Sequence, residues 1–64
     1  MKYTVIYGKR DAKGRVSVAH VEERYDLDHY GAIELSMLEG VAAIAAQETM
    51  KARMVYVGGK LTQV

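Results

Sequence analysis

The stretch Ile33-Glu34-Leu35-Ser36-Met37-Leu38-Glu39-Gly40-Val41-Ala42-Ala43-Ile44-Ala45-Ala46-Gln47-Glu48-Thr49-Met50-Lys51-Ala52-Arg53 decides how this chain is read. Ile33, Met37, Leu38, Val41, Ile44 and Ala45 recur at spacings of three and four, which places them on one face of an α-helix. Asp26 and Asp28 stand before this segment and Lys51 and Arg53 near its end, the arrangement that complements a helix macrodipole. Either aspartate can serve as the N-cap. A helix running from residue 29 to 51 would be about 34 Å long, whereas a six-residue strand covers about 20 Å. The helix is therefore expected to begin nearer residue 32, or to bend at Gly40, and to lay its apolar face on a sheet.

The flanking segments supply that sheet. Tyr3, Val5 and Tyr7 alternate with Lys2, Thr4 and Ile6, and the residue types are aromatic and β-branched, so period and propensity both predict a strand. The polar segment Gly8 to Gly14 is followed by a second alternating run, Arg15 to Val21, which makes a hairpin. In this second run Val16 and Val18 share one phase and Ala19 and Val21 the other, a break that a β-bulge would account for. Downstream, Arg53 to Val57 reads as a third strand, Gly58-Gly59 as a two-residue turn, and Lys60 to Val64 as a short fourth strand. With no proline, linker or long repeat, residues 1–64 are expected to form a single small α+β domain, hairpin–helix–hairpin, with one helix packed on one face of a mostly antiparallel sheet.

This ββαββ order resembles the β-grasp architecture of ubiquitin-like and immunoglobulin-binding bacterial domains. The resemblance lies in element order over nearly the whole chain. Ubiquitin-like modifiers end in Gly-Gly, but here Gly58 and Gly59 are internal and the last residues are Thr62-Gln63-Val64, so conjugation is not implied. The alternative fold is an antiparallel sheet in meander order with one helix across it, as in small inhibitor and antitoxin-type proteins.

Composition narrows the functional classes. Half of the residues are apolar and 27% are charged, a globular balance. The absence of cysteine removes disulfides, thiolate metal sites and a Cys nucleophile, and it fits a reducing, cytoplasmic setting. The longest charge-poor stretch, Gly40 to Gln47, falls far short of the roughly 20 residues that cross a bilayer. The first residues lack a secretory-length apolar core and are read as a strand.

Three groups of residues are candidate sites. Lys9, Arg10, Lys13 and Arg15 crowd the first hairpin loop with only Asp11 among them, and a long helix would bring Lys51 and Arg53 to the same end. Together these six form an expected basic pole, opposite a stretch from Glu22 to Glu39 in which Glu22, Glu23, Asp26, Asp28, Glu34 and Glu39 face only Arg24. Such a pole can grip phosphates, although no aromatic side chain interleaves with it for base stacking and the net charge is only +1. The second group is a sheet face with no element to cover it. If Val5, Val16, Val18, Val55 and Val57 face the helix, then Thr4, Ile6, Ser17, Tyr56 and Thr62 point the other way, and Thr4, Ile6, Tyr56 and Thr62 are the expected partner-binding residues. The third is the connection Glu22 to Gly31. His29 with Asp26, or His20 with Glu22, has ligand chemistry for a divalent ion, but no metal-binding spacing is present and a capping loop is the simpler reading.

Catalysis has no constellation to carry it. Ser17 and Ser36 sit within expected elements rather than at an exposed elbow, and there is no phosphate-binding glycine loop. The expectation is a small, non-enzymatic, cofactor-free protein-interaction or regulatory module, with a homodimer among its expected partners. Chains of this size are common among phage and mobile-element accessory proteins that inhibit or redirect a host protein. The rival expectation is a small nucleic-acid-binding regulator acting through the basic pole.

Overall fold

The structure, a computed structural model, describes residues 2–64. Seven elements follow one another: β1 (Tyr3–Arg10), β2 (Val16–Arg24), α1 (His29–Ser36), β3 (Val41–Ala46), α2 (Gln47–Lys51), β4 (Met54–Val57) and β5 (Lys60–Gln63). The strands form one sheet in the order β2-β1-β3-β4-β5, antiparallel at every pairing. The α+β class and the helix packed on one sheet face stand as expected. The long helix does not. Its expected second half is the central strand β3, so the chain has a fifth strand and a second short helix, and the element order departs from that of β-grasp domains toward a meander-like sheet.

The helix ends at Ser36 with Met37 as its C-cap, and Gly40, whose φ of 91° lies in the left-handed region that favours glycine, turns the chain into β3. Upstream, Asp28 is the N-cap; its Oδ1 accepts the Gly31 N–H at 2.7 Å. Downstream, Val41–Ala46 is rich in alanine, a residue of high helix propensity, yet it lies between β1 and β4 where both backbone edges are hydrogen-bonded. Sheet pairing on both sides overrides local preference. A central strand also benefits from small side chains, and Ala42, Ala43, Ile44 and Ala46 are all buried.

The register defines the core. Val5 pairs with Ile44, and Ile44 pairs with Tyr56, so one row crosses three adjacent strands on the helix side. These are the largest fully buried side chains. Tyr3, Ala32 and Ala46 complete the cluster, with Tyr7, Leu27, Ile33, Leu35 and Val41 packed at its margin.

Two irregularities shape β1. Tyr7 pairs with His20 but Gly8 with Val18, so Ala19 is the bulged residue of β2, where the break in phase predicted one. On the other side Ile6 pairs with Ala43 and Tyr7 with Val41, leaving Ala42 as a second extra residue. Gly8 lies between these irregularities, and a Cβ there would run into the carbonyl oxygen of Ser17. The Gly58-Gly59 turn is also as expected: Val57 pairs with Lys60 and both glycines have positive φ, the type I′ hairpin geometry. Ser36 ties this turn to the helix, since its buried Oγ donates to the Ile33 carbonyl and accepts the Gly59 N–H, each at 2.8 Å.

Three substitutions test this assignment by chemical denaturation. Ile44→Ala, at the centre of the row, is expected to cost about 3 to 4 kcal/mol. Ala45→Val is expected to be neutral or stabilising in a strand, whereas a helix at this position would lose about 0.5 kcal/mol. Gly8→Ala should cost about 2 to 3 kcal/mol, because backbone rather than a flexible side chain must yield.

Candidate functional site

Strand pairing sorts the side chains into two faces, and the sorting differs from expectation at two strands: on β2, Val16 and Val18, expected to face the helix, take the open face and Ser17 the other, and on β4 the assignment is likewise reversed. Tyr56 pairs with Ile44 and is 2% exposed on the helix side, so it does not belong to the open face. Val55 and Val57, expected to face the helix, take the opposite side. Alternation shows which residues of β4 share a face but not which face looks inward. The choice is made by the Tyr56 ring, which fills the space beside Tyr3 at a centroid distance of 6.4 Å and places its hydroxyl 2.8 Å from His29 Nδ1.

Thr4, Ile6 and Thr62 do lie on the open face. Thr4 and Ile6 pair with Ala45 and Ala43, and Thr62 pairs with Val55, which extends the face across the sheet. On β2 the bulge at Ala19 resets the phase, so that Val21, opposite Ile6, and Val18, opposite Gly8, emerge on this side together with Val16. Val16, Val18 and Val21 are 38%, 58% and 50% exposed, high values for β-branched apolar residues in a strand. The face is neutral through its middle. Its charges are at the ends, with Lys2 and Glu23 paired at 3.6 Å at one end and Lys60 at the other. Among the described residues no helix or loop lies over its middle. Gln47 and Met50 of α2 reach its border, beside a shallow hollow of about 340 Å³ that they line with Lys2, Thr4 and Ala45.

The six-residue basic pole is divided by the topology. Lys9, Arg10, Lys13 and Arg15 stay at the first hairpin tip, where Arg10 Nε donates to the Ala42 carbonyl and Arg15 pairs with Asp11 at 3.4 Å. Because β3 runs antiparallel to β1, with Ala46 opposite Tyr3, α2 emerges at the other end and takes Lys51 and Arg53 with it. Arg53 there adopts a φ of 56° in the turn into β4. The same inversion brings Glu39 to the hairpin end, where Gly40 accepts the Gly8 N–H at 2.8 Å. A hollow of about 690 Å³ opens at that end between Gly8, Arg10, the residues after α1 and Gly58.

The residues considered for metal ligation each have another partner. Asp26 receives a bidentate hydrogen bond from Arg24, at 2.8 and 2.7 Å. Asp28 caps α1, Glu22 accepts the Tyr7 hydroxyl at 3.2 Å, and His20 stacks on the Tyr7 ring. Among the described residues no three His, Cys, Asp or Glu side chains converge.

Sequence reasoning missed the pairing of His29 with Tyr56, because 27 residues separate them and no local spacing links them. Together with Tyr3, Leu27, Ala46, Glu48 and Thr49 they line a hollow of about 510 Å³. Burial, followed by the neighbouring Tyr3 and Glu48, raises the Tyr56 phenol above its ordinary value of 10.0. The hydrogen bond between the Tyr56 hydroxyl and His29 Nδ1 fastens β4 to the start of α1.

The titrations have defined signs. The Arg24 fork and then its own backbone amide hold the Asp26 carboxyl down at about 2, so its contribution to stability is present above the ordinary value of 3.8 and is lost as pH falls through about 2. Carboxyl carbon shifts in NMR should show that midpoint, and Arg24→Gln should return it to the ordinary range. Tyr56 works in the other direction: its contribution is full below pH 10 and declines as pH rises through the elevated folded value. Tyr56→Phe is expected to cost about 1 kcal/mol at neutral pH and to abolish a late-titrating phenolate signal in the ultraviolet.

No protein-family model matches the chain, and no curated protein or solved structure is significantly similar to it.

Proposed function

We propose that this chain is a non-enzymatic protein-interaction module that acts through the uncovered face of its sheet and regulates its partner by contact. The observation that supports this reading is the neutral apolar strip made by Ile6, Val18 and Val21 with Ala43, Ala45, Val55 and Val57, which leaves valines half-exposed where a second layer would ordinarily cover them. Sheets with one solvated face normally alternate apolar-in and polar-out. Here both faces are apolar. The polar tips of Thr4 and Thr62 at the margins provide the rim that a partner surface uses for orientation.

The nucleic-acid alternative draws less support from the geometry. With Lys51 and Arg53 at the far end, the hairpin tip retains Lys9, Arg10, Lys13 and Arg15 as a compact patch, and a backbone-tracking groove needs a longer basic surface.

The reading is tested by affinity capture of the tagged protein from its source lysate, with and without nuclease, in parallel with the Val18→Asp/Val21→Asp variant. The expected result is a stoichiometric protein partner, another copy of the chain included, that survives nuclease and is lost by the variant. A partner set that vanishes with nuclease and is indifferent to both valines would move the function to the hairpin tip. Since both valines are exposed, the variant is expected to unfold within about 1 kcal/mol of the parent.

A further inference from the structure

We infer that the outer edge of β2 pairs with the β2 edge of a second copy of this chain, antiparallel about a two-fold axis, with Arg15 of each copy opposite Glu22 of the other. This pairing uses an edge of the sheet rather than its uncovered face, so it goes beyond the preceding proposal.

β2 is uncovered on three sides. It is the first strand in the order β2-β1-β3-β4-β5, so its nine residues are hydrogen-bonded to a neighbouring strand on one side only. α1 packs on β3 and β4, and every residue from Val16 to Val21 is exposed, on both faces alike. An edge of this length offers a row of backbone N–H and C=O groups to another strand. The opposite edge, β5, has only four residues.

Charge identifies the strand that fits. Arg15 stands just before β2, Glu22 and Glu23 stand near its end, and Val16, Val18 and Val21 lie between. A strand that is basic at its start and acidic at its end complements itself when it meets its own copy antiparallel, and a two-fold axis makes each such contact twice. Both charges are available for it. Arg15 pairs with Asp11 at 3.4 Å as two exposed side chains, a weakly held contact, and Glu22 accepts the Tyr7 hydroxyl at 3.2 Å.

The faces select the register. Residues opposite one another on neighbouring strands point to the same side of the sheet. Val16 and Val21 lie on the open face, whereas Ser17, His20 and Glu22 pair with Lys9, Tyr7 and Val5 on the helix side, and Arg15 alternates with Val16 onto that side too. Setting Arg15 against Glu22 sets Val16 against Val21 and Ser17 against His20, so the three pairs all match in side. A shift of one residue mismatches every pair. A shift of two sets Arg15 against Arg24 and Val16 against Glu23 in one direction, and Val21 against Gly14 of the hairpin loop in the other. The bulge at Ala19 blunts this edge against an unrelated strand, but in the matched register it falls beside the two-fold axis, so each copy meets the irregularity with its own and ladders form on either side of it. The two copies then make one ten-stranded sheet, and an axis perpendicular to it keeps both uncovered faces on the same side.

Sedimentation equilibrium of the full chain from micromolar to millimolar concentration tests this inference. The expected mass is twice 7.1 kDa for the parent. Arg15→Glu and Glu22→Arg each bring like charges together twice and should weaken the dimer about tenfold. An equimolar mixture of these two variants, and the double variant Arg15→Glu/Glu22→Arg, place opposite charges at both positions again and should recover the parent's affinity. Arg15 and Glu22 are roughly 23 Å apart along an extended strand, too far to pair within one chain, so recovery reports contact between copies. If Glu22→Arg impairs folding, judged by circular dichroism, Arg15→Glu decides against Lys51→Glu, a charge-matched control on α2 that should leave the dimer intact. A parent that is monomeric at millimolar concentration overturns the inference, as does a dimer indifferent to Arg15→Glu or a pair of folded single variants that fail to combine. Because Arg15 lies off the open face, a partner held through Val18 and Val21 should be captured by the parent and by Arg15→Glu alike. Such capture by a monomeric parent would refute the edge pairing and leave the interaction-module reading intact, whereas a charge-rescued dimer that captures nothing else would do the reverse.

Discussion

The row Val5–Ile44–Tyr56 is the constraint on which the other features depend. It crosses three neighbouring strands, and each member is fully buried. For the row to exist, β3 must lie between β1 and β4, and its residues must be small enough for α1 to settle over them. Ala46 meets that requirement from β3 and Ala32 from the helix, and Gly40 turns the chain back into β3 after the helix has ended at Ser36. Placing Ile44 inside also directs Ala43 and Ala45 outward, so one register choice creates the core and the open face together.

Polar contacts secure the two ends of the helix over that row. At its start Asp28 caps the backbone and His29 holds the Tyr56 hydroxyl; at its end Ser36 bridges to the Gly58-Gly59 turn. The Asp28 cap is local, whereas the His29 and Ser36 bonds join segments distant in sequence, and no buried side-chain polar atom among the described residues lacks a partner. Such a scheme suits a small domain, where the apolar core is thin and an unpaired buried group would remove a large share of the stability. No helix among the described residues is long and apolar enough to cross a membrane.

The uncovered face follows from the same economy of elements. Sixty-four residues provide one eight-residue helix long enough to cover a sheet, and α2, with five residues, extends from the end of β3 rather than across it. A five-stranded sheet with valines on both sides therefore retains one apolar surface in excess of what its own chain can bury. That excess is the physical basis of the interaction-module proposal. It also explains why the bulge at Ala19 matters: without the bulge, Val16 and Val18 would oppose Val21 rather than join it.

Local rules operating over a few residues were legible in the sequence. The first hairpin, the break in phase within β2, the Asp28 cap and the Gly58-Gly59 turn each depend on residues within about five positions of one another, so composition and period suffice to find them. Gly40 was a visible signal too, but its meaning depended on whether Val41–Ala46 continued a helix or began a strand. Spacing alone cannot separate the two for a short alanine-rich run, and the backbone partners that decide it come from β1 and β4. The same limit applies to Tyr56, whose inward orientation is chosen by Ile44 and His29, and to Lys51 and Arg53, whose end of the molecule follows from the direction of β3. The sequence by itself determined which segments form elements and which residues alternate together. Only tertiary structure decided which side of each strand faces the helix and which charges share an end, because both depend on pairings between segments that no local periodicity encodes.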